Sequence, residues 1–222
     1  MTALFREGLT IGFLLLLPIP IFAAEDAIES RAATITVRVW DRVQIDAGIL
    51  DRAKQVTETI LRTLRLEIRW VDCLADTVPQ RCISTVGPND LSIRIYRRPT
   101  EGRRHLGQEI AGVAFPSPVN GGSGMIQVFV DRLEEISKES SIPAPLELLL
   151  GITIAHEIGH LLLPGHQHSL SGIMQGRLGA RNLQLAAKGR MSFTAEQRLA
   201  IEENVRMWSN QSESQQLAVL QR

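Results

Sequence analysis

An excess of one charge is missing from this chain: 24 Lys and Arg stand against 24 Asp and Glu. A balanced chain lacks the positive field that draws a protein onto nucleic acid or an anionic bilayer, so no nucleic-acid partner is expected. The Arg97-Arg98 and Arg103-Arg104 pairs are read as a solvated loop between strands. Cysteine is nearly absent as well. Cys73 and Cys82 are the only two, spaced wider than a Cys-x-x-Cys knuckle and with no second pair to complete a zinc knuckle. In an oxidising compartment they are expected to join in one short bridge contributing about 2 to 3 kcal/mol, with zinc ligation and free thiols as the rival readings.

Long apolar runs are also lacking. The stretch 11–22 is interrupted by Pro18 and Pro20, and a comfortable membrane span needs about 20 apolar residues. Preceded by Arg6 and closed by Ala23-Ala24, it reads as a secretory signal peptide over 1–24, with cleavage after Ala23 or Ala24. The third residue before either bond, Ile21 or Phe22, is larger than the preferred small type, which keeps an uncleaved anchor as the alternative. No cysteine near the cleavage region offers a lipid attachment point. The expected location is therefore secreted or periplasmic, with no stable membrane span after leader removal. Repeats and low-complexity runs are absent, and about 200 residues suffice for one domain with a sizeable core. That domain is placed at 25–208, followed by a Gln- and Ser-rich flexible tail, 209–222.

What the chain does have is histidine, concentrated in one place. Residues 156–168 contain four of its five histidines. His156 and His160, four apart, stack on one face of a helix and can offer two imidazoles to one metal, while Glu157 sits beside them facing the water that a catalytic zinc activates. A catalytic zinc needs three protein ligands and leaves a fourth position open. The helical run 145–163 is apolar nearly all round, as in a helix buried through a small domain. Pro164 forces Leu163 out of the α region, and Gly165 can turn the chain back under the metal. His166 and His168 both follow that turn. The bland alternative, histidines serving only as core residues, would leave two imidazoles and a carboxylate in an aliphatic helix, where an unpaired charge costs several kcal/mol.

With these residues the stretch resembles the metzincin superfamily of zinc metallopeptidases, in particular a matrixin-like catalytic domain, whose motif is His-Glu-x-x-His-x-x-Gly-x-x-His followed by a methionine turn. The match departs at one position. Counted from His156 the third histidine falls on His166, but the motif's glycine falls on Leu163; shifted by two, Gly165-His166-Gln167-His168 restores Gly-x-x-His. The turning glycine favours His168, and His166 stays open. Ser171-Gly172-Ile173-Met174 resembles the methionine turn, with Met174 as an apolar floor beneath the ligands. The sole tyrosine, Tyr96, lies on an expected strand, so no tyrosine is available near that turn for an auxiliary role.

Alternation predicts strands at 34–40, 66–71, 91–96, 111–115 and 125–130, and amphipathic spacing predicts a helix at 46–64. Thr194 and Gln197 form a capping box for a last helix ending near Trp208. This order is similar to that of a metzincin catalytic domain, and the resemblance implies an α/β (α+β) fold: a metzincin-like twisted mixed sheet of about five strands with an antiparallel edge strand, an active-site helix and a C-terminal helix. The resemblance implies one zinc ion and hydrolysis of peptide or protein substrates, with specificity set near Met174 to Arg177. Two other classes stay open: a zinc-stabilised binding module without turnover, and an amidase acting on a non-peptide or cell-wall amide. Oligomeric state is not legible.

Overall fold

Strands and helices alternate in the first half and helices close the chain: β1 (Ala33–Asp41), α1 (Ala47–Leu61), β2 (Leu66–Asp72), a short α2 (Gln80–Ile83), β3 (Asp90–Tyr96), β4 (Gly112–Pro116), β5 (Gly124–Phe129), α3 (Val130–Glu139), α4 (Leu146–Leu162), α5 (Ala180–Ala187) and α6 (Ala195–Leu220). The computed structural model describes residues 33–73, 80–83, 87, 89–99, 110–117, 123–165 and 168–220, with 209–220 described by backbone alone. The expected leader, His166 and the Arg103-Arg104 pair lie outside the described residues.

The five strands form one mixed sheet in the order β2-β1-β3-β5-β4. The first four are parallel, and β4 runs antiparallel to β5 along one edge. Alternation explains the sidedness: Ile35, Val37 and Val39 of β1 and Leu91, Ile93 and Ile95 of β3 are all buried, each set on one face of its strand. At the β4 edge, Gly112 stands opposite Val128, and the Phe129 N–H donates to the Ala111 carbonyl at 2.9 Å. In an antiparallel ladder that pattern makes Gly112 and Val128 a non-hydrogen-bonded pair. The N–H and C=O groups of Gly112 and Ala114 therefore point away from β5, toward the outer edge of the described sheet.

α4 is buried along nearly all of its length, from Leu148 to Leu162, with His156 and His160 the partly exposed exceptions in that run. It packs closely against α1 because residue 151 is glycine: a Cβ there would lie 2.6 Å from both the Ala53 carbonyl oxygen and Val56 Cβ. The buried Thr57 hydroxyl joins the two helices, 3.0 Å from the Ala53 carbonyl and 3.1 Å from that of Gly151. Asp46 caps α1 by accepting from the Ile49 N–H at 3.2 Å.

A separate small cluster forms around Val71, Cys73 and Cys82, with Trp40 packed on it. Cys73 and Cys82 are disulfide-bonded, with Cα atoms 5.8 Å apart. Here Arg38 donates to the Arg81 carbonyl at 3.0 Å and pairs with Asp90 at 3.0 Å, while Lys54 pairs with Asp72 at 2.8 Å.

Three helices were not expected from the sequence: α2, α3 and α5. α3 starts directly from β5, and its N-cap residue Phe129 supplies no side-chain cap, so neither a turn nor a capping residue announces it. Its first-turn Asp131 accepts from Arg98 at 2.6 Å, which ties the exposed Arg97-Arg98 pair to this helix. α6 begins after the expected cap, with the Gln197 N–H donating to Thr194 Oγ1 at 3.2 Å and the Thr194 N–H donating to Gln197 Oε1 at 3.0 Å, and runs past Trp208 to Leu220.

Candidate metal centre

The helix stops where its residues require. Leu163 has φ −87 and ψ 144, the extended conformation imposed on a residue before proline, and its N–H makes the last helical bond to the Gly159 carbonyl at 2.9 Å. Gly165 then takes φ +87, open to glycine at no steric cost. Beyond it, His168 stands beside the two histidines of α4.

Three imidazoles meet there. Ligand atoms of His156, His160 and His168 all lie within 4.8 Å of one another. The Nε2 atoms of His156 and His160 are 3.1 Å apart, and the His168 ring centroid is 5.3 Å and 5.1 Å from theirs. Tetrahedral zinc with Zn–N bonds of about 2.0 to 2.1 Å separates its nitrogens by roughly 3.3 Å, close to the spacing already present. His156 Nδ1 is 2.8 Å from the Ile173 carbonyl oxygen, which can only accept, so Nδ1 carries the proton and the Nε2 lone pair faces the cluster. Burial holds the His156 pKa below its ordinary value, which keeps that lone pair available. The donor set, its spacing and this tautomer fit zinc.

The segment after the histidines forms the floor. Met174 is fully buried, and its neighbour Ile173 is anchored by its N–H to the Ser192 carbonyl at 3.0 Å. Gly159 sits directly above: a Cβ there would collide with Met174 Sδ and would lie 2.9 Å from Phe193 Cε1. Gly176 supports the third imidazole, since a Cβ at that position would come within 2.9 Å of His168 Nδ1. Gln175 and Asn182 hydrogen-bond side chain to side chain, bracing this segment against the start of α5.

Glu157 points to the side of α4 facing β4. It is 5% exposed, and burial pushes its carboxyl up to about 8 from the ordinary 4.5. Its neighbour across the gap is Gly112 at the start of the edge strand. A cleft of about 940 Å³ runs along this gap, past all three histidines and Glu157. One helical turn before His156 it is lined by Ile152, together with Ile136, Arg177, Leu178 and Leu183. Residues 156, 157, 160, 168 and 174 were all singled out by the sequence. The Ile173 carbonyl and Gly112 were not: one acts through its backbone and the other through a missing side chain, and neither leaves a motif.

No protein-family model matches the chain, and a comparison with curated proteins found no match. Among solved structures it is similar to metalloproteinase-II from Bacteroides fragilis, with TM-score 0.51 and 11% identity, over 78% of this chain and 53% of that one. The chain thus spans about half the length of that metalloproteinase. A further similarity, to archaemetzincin from Methanopyrus kandleri, covers 81% of this chain and 99% of the other at 15% identity and TM-score 0.45. At these identities the likeness is one of fold: a mixed α/β domain with a five-stranded sheet and an antiparallel edge strand beside the histidine-bearing helix.

Proposed function

We propose that the chain is an exported zinc-dependent metalloendopeptidase, with His156, His160 and His168 as the metal ligands and Glu157 as the catalytic base. The observation that carries this reading is the convergence, in one cleft beside the outermost strand of the described sheet, of three imidazoles and a buried carboxylate that ligation does not require. The matrixin-like refinement rests on the motif and its methionine alone. Export is supported by the Cys73–Cys82 bridge, since disulfides persist in oxidising compartments, together with the leader-like N-terminal residues. No described helix is long and apolar enough to cross a membrane.

When bound, zinc would polarise a scissile carbonyl and acidify water at the open fourth position. The chain's own residues do the rest. An extended peptide would pair with the outward N–H and C=O groups of Gly112 and Ala114, which fixes its backbone along the cleft by β-augmentation. Glu157, across from Gly112, takes a proton from the attacking water and returns it to the leaving amine. The sector by Ile152, Leu178 and Arg177 would receive a substrate side chain.

Metal analysis of the purified protein, with cleavage profiling on casein, a peptide library and peptidoglycan, tests the reading. Peptide cleavage lost with chelation and restored by zinc is the expected result. Zinc-dependent release from peptidoglycan alone would indicate the amidase, and stoichiometric zinc without turnover on any substrate would indicate a binding module.

A further inference from the structure

The geometry points to Gly112 as a positioning residue: the missing side chain at the start of β4 creates the space in which the Glu157 carboxylate stands against the substrate-facing strand edge. A Cβ built on residue 112 would lie 2.8 Å from Glu157 Oε1, 2.9 Å from Glu157 Cγ and 2.8 Å from Thr153 Cγ2. All three separations are shorter than side-chain carbons tolerate. Conformation is not the reason for glycine here. Residue 112 lies in a strand and its φ is outside the left-handed region, so alanine could adopt the same backbone without strain. Space alone excludes a side chain.

The same residue also faces the outer edge of the described sheet. Its N–H and C=O point away from β5, so the peptide group available to an extended ligand and the notch that receives the carboxylate belong to one residue. A methyl group at 112 has two ways out: Glu157 rotates or retreats along α4, or β4 moves away from the helix. Either one changes the distance between the docked backbone and the carboxylate. α4 cannot easily yield, because it is packed on its far side against α1 through Gly151. The catalytic half of this inference rests on the metallopeptidase reading; the steric half does not.

The test combines kinetics with a stability coupling, both on the zinc-loaded protein. Gly112→Ala should retain zinc and lower kcat on the order of 10²-fold, with KM changed less than about 3-fold, as expected when a reacting group is displaced by about 1 Å. It should also lower the melting temperature. Two of the three collisions are with Glu157, so the drop caused by Gly112→Ala should shrink by more than about half in a Glu157→Ala background. An unchanged kcat in Gly112→Ala, or an equal melting-temperature drop in both backgrounds, would overturn the assignment. Should the wild type cleave no peptide, the peptidase reading falls, while the melting comparison still decides whether Gly112 makes room for Glu157.

Discussion

Charge is buried in two regions of this molecule, and they treat it in opposite ways. At the disulfide corner, Arg38 and Asp90 are 8% and 14% exposed and meet at 3.0 Å, and the 9% exposed Lys54 meets Asp72 at 2.8 Å. Each buried cation there has its counterion. In the cleft, Glu157 is as deeply buried, has no cationic partner among the described residues, and responds by holding its proton up to about 8. A buried pair fixes structure; a buried carboxyl left alone is costly to the fold and is kept where its proton can be exchanged. Several substitutions would break or sharpen this contrast.

The largest effect is expected at the histidines. The double variant His156→Ala, His160→Ala should lose zinc entirely as read by atomic absorption, along with all cleavage. Stoichiometric zinc in that variant would remove the basis for the centre. His168→Ala should lose zinc at least tenfold in affinity, and comparison with His166→Ala assigns the third ligand.

Next comes Glu157→Gln, which keeps shape and metal but removes the base. Turnover of any peptide the wild type cleaves should fall by about 10²- to 10⁴-fold with zinc content unchanged, and equal rates would reject the proposed role. The same variant exposes the cost of the lone carboxyl in metal-free protein. Because folding raises the Glu157 pKa from 4.5 to about 8, the folded state binds its proton more tightly than the unfolded state. Its contribution to stability is fully present below about 4.5 and is lost as pH rises through about 8. Urea titrations should therefore show Glu157→Gln gaining on the metal-free wild type from pH 5 to pH 9, and a constant difference across that range would contradict the shift.

At the corner the opposite sign is expected. Arg38→Met preserves bulk but leaves Asp90 without its counterion, which should cost about 3 kcal/mol in denaturant unfolding, with partial recovery when Asp90→Asn is added. No change would mean that the pair is as weak as an exposed one. The smallest effect is assigned to Cys73→Ser with Cys82→Ser, about 2 kcal/mol, because the bridge closes only a short loop. Thiol titration of the unreduced, denatured wild type should find no reactive cysteine.

The histidine cluster and the sheet were legible for the same reason: both are written locally. Helical spacing put His156 and His160 on one face, Pro164 ended the helix, and alternation marked all five strands to within a residue or two. The parallel order and the antiparallel edge came with the metzincin resemblance rather than from any strand's own pattern. α3 was missed because it inherits its start from β5, without a cap, and α5 because Gly179 carries no capping oxygen and the bracing Asn182 lies inside the helix. The notch at Gly112 was invisible because it joins residues 45 positions apart through an absent atom. Gly165 made His168 the favoured third ligand in the sequence, and His168 stands with the two helical histidines, while His166 lies outside the described residues.

The position of α4 has a consequence for self-digestion. A peptide that docks by strand pairing must be extended and reachable, and α4 is neither: it is a 17-residue helix with its interior residues enclosed by α1, the sheet and the later helices. Its amides should exchange with solvent only when the whole domain opens, because no shorter opening frees them from their neighbours. For a chain proposed to cut other chains, this places the two helical ligands and the base in the segment least accessible to a second copy of the same enzyme. Autolysis, where it occurs, would then trim the periphery and leave the histidine-bearing helix intact.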